Sequence, residues 1–119
     1  MPQSRLVLIV DDDARNLKLA RDVLLASGFR TLVARNGSEA VALAAEHLPD
    51  VILMDLRLPD MDGADAAGIL ADGPRTAAIP VVALTAAAIA GDTVGGFAGY
   101  LAKPIDVENF PHQVRRFCV

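Results

Sequence analysis

Three runs of this sequence are apolar at every position, rich in β-prone residues, and stop at a residue that can do chemistry. Leu6-Val7-Leu8-Ile9-Val10 runs into Asp11-Asp12-Asp13, Val51-Ile52-Leu53-Met54 into Asp55, and Val81-Val82-Ala83-Leu84 into Thr85. A strand without polar alternation has no face to turn to water. These runs are therefore expected inside a parallel sheet covered by helices on both sides. A half-solvated antiparallel sheet would alternate apolar and polar residues, and the runs argue against it.

The segments between the runs fit that arrangement. Residues 14–27 follow helix spacing, with Ala14, Leu17, Ala20 or Arg21, Leu24 and Leu25 at threes and fours, and Gly28 is a stop. Thr31-Leu32-Val33-Ala34 reads as a short strand. Asn36-Gly37 is a turn, and Asn36 or Ser38 can cap a helix over residues 39–47 that Pro49-Asp50 breaks. A helix over 64–72, an Ala-rich weak helix over 86–99 and a short strand Tyr100-Leu101-Ala102 follow. Lys103-Pro104 ends that strand, and a last helix covers about 107–117. Strand and helix alternate five times, which predicts an α/β fold.

Ligands of open α/β sheets sit beyond the carboxyl ends of the strands. Asp11, Asp12 and Asp13 stand there after the first strand, Asp55 after the third, Thr85 after the fourth and Lys103 after the fifth. Crowded carboxylates repel each other unless a cation intervenes. A hard divalent ion with oxygen ligands, magnesium in particular, suits such a group. Twelve of the fifteen acids are Asp, a residue of caps, loops and compact magnesium sites rather than of solvated helix faces. Lysine is rare, two against nine Arg, and a lysine at a strand end can hold a phosphoryl oxygen or a carboxylate. Thr85 can donate to a further oxygen, and an Asp can act as a nucleophile toward phosphorus.

Each residue alone has a plainer reading. Asp13 is a natural helix cap, Asp55 a turn residue, Thr85 an ordinary strand end and Lys103 a solvated lysine. The weight lies in the conjunction, four functional types at the carboxyl ends of four different strands.

Other chemistries lack their signatures. Neither G-x-x-x-x-G-K-[ST] nor G-x-G-x-x-G nor G-x-S-x-G occurs. His47 and His112 have no partner at metal-ligand spacing and read as helix-surface residues. Arg115-Arg116 suits the dipole at the end of the last helix. A net charge of −4 argues against a nucleic-acid partner, and no apolar run is long enough to span a bilayer. No secretion signal is visible and the single Cys118 has no internal partner, so a cytoplasmic location is expected. The 119 residues, 53% of them apolar, suffice for one domain, 1–119, with one core.

Taken together, these strings resemble the receiver domain of bacterial two-component response regulators over essentially the whole chain. The matching pieces are Leu8-Ile9-Val10-Asp11-Asp12-Asp13 with Asn16 and Leu17, Asn36-Gly37-Ser38-Glu39-Ala40, Met54 through Gly63, Ile79 through Ala86, and Tyr100-Leu101-Ala102-Lys103-Pro104-Ile105. The resemblance implies a flavodoxin-like, doubly wound (βα)5 fold with strand order 2-1-3-4-5. It implies that Asp55 accepts a phosphoryl group from a histidine kinase or histidine phosphotransfer protein. Asp11, Asp12, Asp55 and the backbone carbonyl of Arg57 would bind Mg2+, and Thr85 and Lys103 would hold the phosphoryl oxygens. Tyr100 would be the aromatic switch that turns inward when Thr85 moves. The resemblance to single-domain regulators implies action on a downstream protein target, with no output domain expected after residue 119 and a monomer or weak dimer expected.

One departure stands out. Thr85 and Lys103 are 18 positions apart where receivers usually have about twenty-two, so the fourth helix is expected to be short. Four glycines between Ala86 and Gly99, each costing a helix interior roughly 1 kcal/mol, predict a mobile, poorly helical segment there. Ala86 and Ala87 are expected to leave the phosphoryl group open to a partner, Arg57 to reach over it, and the Lys103-Pro104 bond to be cis. Besides a receiver excised from a hybrid kinase, two other readings compete. One is a receiver-like binding module that is never phosphorylated. The other is a haloacid-dehalogenase-type phosphatase, which Asp11-x-Asp13 imitates, but which needs an acidic pair after the lysine where only Asp106 and Glu108 follow.

Overall fold

A computed structural model describes residues 5–85, 97–103 and 105–118. Five strands, β1 (Leu6–Val10), β2 (Arg30–Ala34), β3 (Val51–Asp55), β4 (Val81–Thr85) and β5 (Gly99–Ala102), form one parallel sheet in the order β2-β1-β3-β4-β5. The described residues also form the helices α1 (Ala14–Ala26), α2 (Gly37–His47), α3 (Gly63–Asp72) and α4 (Phe110–Phe117). The apolar runs occupy β1, β3 and β4, the three inner strands, where both sheet faces are covered.

Strand alternation divides the core in two. Val7 and Ile9 of β1, with Val51 and Leu53 of β3, pack against Leu17, Ala20 and Leu24 of α1 and Phe110 and Val114 of α4. Leu8, Val10, Ile52 and Met54 point the other way, onto Ala40 and Ala44 of α2 and Ala66, Ala67 and Leu70 of α3. Burying each large apolar side chain is worth about 1.5–3 kcal/mol, so the doubly covered strands dominate the packing energy. Alanines on the second face let α2 and α3 approach the sheet closely.

Local chemistry sets the helix ends. Asp13 caps α1, its carboxylate accepting from Arg15 N–H at 2.9 Å. Gly28, at φ 91°, closes α1 in a left-handed turn, with Phe29 N–H donating to the Leu24 carbonyl at 3.0 Å. Of the two candidate caps for α2, Asn36 does the work, accepting from Glu39 N–H at 2.8 Å. The last helix begins at Phe110 rather than near residue 107. Pro111 lies in its first turn and has no N–H to donate to an earlier carbonyl, so residues 107–109 form a separate turn. Asp106 caps that turn, accepting from Glu108 N–H at 3.1 Å and Asn109 Nδ2 at 2.6 Å.

The expected weak helix over 86–99 lies mostly outside the described residues; Phe97 and Ala98 lead into β5, which Gly99 begins. The expectations for Ala86, Ala87, the mobile segment and the Lys103-Pro104 bond also involve residues outside the described ones.

A close approach fixes the turn after β3. A Cβ built at Gly63 would overlap the backbone carbonyl oxygen of Asp55, and Gly63 N–H donates to the Leu56 carbonyl at 2.7 Å. Gly63→Ala is therefore expected to destabilise the fold by about 1–3 kcal/mol by pushing the end of β3 aside. A lower urea midpoint at unchanged slope is the readout.

Candidate functional site

Parallel register brings the strand ends together. Val10 pairs with Met54, so the next residues, Asp11 and Asp55, stand side by side. Asp55 pairs with Leu84, just before Thr85, and Thr85 pairs with Ala102, just before Lys103. Lys103 N–H donates to the Thr85 carbonyl at 2.8 Å, which holds the lysine at this edge.

Lys103 joins the two acids. Its Nζ lies 2.7 Å from Asp11 Oδ2 and 3.3 Å from Asp55 Oδ2. The Asp11 side chain is 2% exposed, so its charge needs full compensation. It accepts from Asp13 N–H at 3.0 Å through Oδ1, and from Asn16 Nδ2 at 3.3 Å and Lys103 through Oδ2. Asp55 accepts from Arg57 N–H at 3.4 Å. Burial raises the Asp55 carboxyl above its ordinary range; Lys103 opposes the rise, and the neighbouring Asp11 adds to it. Burial works against the Lys103 ammonium, yet the hydrogen bond and charge of Asp11, with Asp55 behind it, carry its pKa above the usual lysine value.

Asp12 completes an acidic group. One carboxylate oxygen from each of Asp11, Asp12 and Asp55 falls within 4.8 Å of the others. Asp12 is exposed, and Arg35 Nη2 donates to its backbone carbonyl at 3.3 Å. Three hard oxygen donors of this kind, one of them exposed so that water can share the coordination, fit a magnesium ion.

The site residues named from the sequence divide as follows. Asp11, Asp12, Asp55 and Lys103 form one cluster. Thr85 is half-buried at its edge, at the end of β4. Arg57 is exposed and follows Asp55 by two positions. Tyr100 is half-buried on β5, its ring 6.0 Å from that of Phe97 at a 51° tilt. Asp106, which the phosphatase reading would need at the metal, is exposed and engaged in its own turn. Asn16, part of the first matching string, gains a role from its bond to Asp11 out of the first turn of α1. Asp60, also without a role in the sequence reading, accepts from Gly37 N–H at 2.7 Å, Ser38 N–H at 2.9 Å and Ser38 Oγ at 2.8 Å. Unsatisfied amides at the start of α2 were the available clue to it.

Comparison with known proteins bears on this geometry. The family model for the response regulator receiver domain matches residues 7–115. The polar-differentiation response regulator DivK of Brucella anthropi is 44% identical over 121 residues, spanning 98% of this chain and 97% of that protein. DivK of Brucella ovis is 43% identical, covering 93% of this chain and 94% of its own. Among solved structures, the receiver domain of the sensor histidine kinase PA1611 from Pseudomonas aeruginosa superposes with a TM-score of 0.87 at 30% identity, covering 97% of this chain and 98% of that one. That structure has a magnesium ion coordinated in its active-site cleft. CheY4 of Vibrio cholerae, a chemotaxis response regulator, gives 0.87 at 27% identity over 96% of this chain and 98% of its own.

Proposed function

Because the chain belongs to the response regulator receiver domain family, we propose that it is a stand-alone response regulator whose Asp55 accepts a phosphoryl group from a histidine kinase or histidine phosphotransfer protein. Response regulators are two-component signalling proteins rather than classical enzymes. The observation that carries the reading is the position of Lys103, with Nζ within reach of both Asp11 and Asp55.

Asp11, Asp12 and Asp55, with the Arg57 carbonyl, would hold magnesium. Bound there, the ion supplies positive charge that lets three carboxylates and a phosphoryl group share one site. Asp55 offers an ionised oxygen to phosphorus; the new P–O bond forms as the P–N bond to the donor histidine breaks and the imidazole leaves. Lys103 holds a phosphoryl oxygen in this reading, and Asp11, 2.7 Å from its Nζ, keeps the ammonium protonated. Thr85, beside Asp55 in the sheet, donates to a second oxygen. Thr85 and Tyr100 then act as the coupled switch that alters the surface read by a downstream protein.

Uptake of a phosphoryl group from a small-molecule phosphodonor, followed by intact mass, tests this. One group per chain with magnesium and none without it is expected. Full uptake without magnesium, or none in either case, overturns the reading. Sustained turnover of phosphate esters would instead favour the phosphatase.

Residues 1–119 act as one receiver unit in this reading, supported by relatives of matching length that are response regulators in their own right. The protein works in the cytoplasm as a monomer or weak dimer. Its partners are proteins, in keeping with a net charge of −4 and with no helix, among the described residues, long and apolar enough to cross a membrane.

A further inference from the structure

We infer that Asp60 is a positioning residue for the magnesium site, anchoring the loop that carries Arg57 to the first turn of α2. The inference rests on the reading of Asp11, Asp12 and Asp55 as that site. Residues 56–63 form a small closed loop: Gly63 N–H donates to the Leu56 carbonyl at 2.7 Å, Leu58 N–H to the Met61 carbonyl at 3.2 Å, and Arg57 bridges to Asp62. Asp60 lies at its tip. An exposed tip aspartate would ordinarily be solvated. This one instead spends both oxygens on α2, Oδ1 on Gly37 N–H and Oδ2 on the N–H and hydroxyl of Ser38.

The helix does not need Asp60 for its ordinary cap, because Asn36 already accepts from Glu39 N–H. Asp60 takes the amides that Asn36 leaves, at a helix end whose dipole favours a carboxylate. These bonds hold the Asp60 carboxyl below its usual range. Gly37 is matched to the contact, since a Cβ there would overlap the Met61 side chain. At its other end the loop begins at Asp55, whose Oδ1 accepts from Arg57 N–H. A shift of the tip thus reaches the peptide carrying the implied metal-binding carbonyl through only two intervening residues, Leu58 and Pro59.

Magnesium affinity by isothermal titration calorimetry tests the inference on the full chain, with thermal unfolding and amide exchange at Gly37 and Ser38 alongside. Asp60→Ala is expected to fold, to exchange faster at those amides, and to bind magnesium about tenfold more weakly, as loss of a group behind a metal ligand typically does. Asp60→Asn, which keeps one acceptor oxygen, is expected to recover most of the affinity, within about threefold of the parent. Ser38→Ala, which removes only the hydroxyl, should lose about twofold. Unchanged affinity in Asp60→Ala despite faster exchange overturns the inference alone. If Asp60→Ala fails to fold, the same affinity in Asp60→Asn, Ser38→Ala and the parent overturns it. A parent chain that binds no magnesium overturns the site reading, and the inference with it.

Discussion

Asp55→Asn is expected to abolish phosphoryl uptake and, without magnesium, to make the protein more stable at neutral pH. The first effect follows from removing the nucleophilic oxygen. The second follows from burial, which raises the Asp55 carboxyl in the folded state above its ordinary 3.8. The folded protein therefore holds that proton more tightly than the unfolded chain does. This contribution is fully present below 3.8 and is lost as pH rises through the raised folded value. At neutral pH the wild type carries an ionised Asp55 beside Asp11, and the amide variant does not. The gain should be modest, because water still reaches the group and screens its neighbours. Urea unfolding from pH 4 to 7 should show the two proteins diverging as pH rises. Saturating magnesium should narrow the gap, because the complete site binds it more tightly. A variant less stable than wild type at pH 7 without magnesium would contradict this account.

Lys103→Met is expected to have the largest effect on the fold. The ammonium lies 2.7 Å from an Asp11 carboxylate that is 2% exposed, and Met keeps the stem while removing the charge. Asp11 and Asp55 would then face each other with no cation between them. Removing one partner of a buried pair typically costs about 3–5 kcal/mol. Two conditions should restore part of it. Magnesium supplies the missing charge, and a lower pH protonates Asp55, whose carboxyl loses the lysine charge that opposed its rise. Denaturant melts at pH 7 and pH 5, with and without magnesium, check both. A loss below about 1 kcal/mol at pH 7 without magnesium would place the pair among solvated ion pairs instead.

The course of the chain is legible wherever the cause is local. Unbroken apolar runs at β1, β3 and β4 identify inner parallel strands because burial on both faces excludes polar alternation. Asp13, Gly28 and Asn36 end or begin helices because amides and carbonyls there need partners within a few residues. Pro111 carried the true start of α4 as well, because a proline favours the first turn of a helix. The acids, the hydroxyl and the lysine could be assigned to one sheet edge from strand ends alone.

Distances and pairings were decided only by the tertiary structure. Sequence spacing treats Asp11 and Asp55 as equivalent neighbours of Lys103, but the fold sets the ammonium at 2.7 Å from one and 3.3 Å from the other. Asn36 and Ser38 are equally able to cap α2. Asn36 takes the cap in a structure where Ser38 is bonded to Asp60, 22 residues away. The role of Asn16 likewise depends on the angle at which α1 leaves the sheet. A residue's own neighbours determine periodicity and capping, whereas the side chains it meets across the sheet depend on strand order, register and packing, which belong to the whole chain at once.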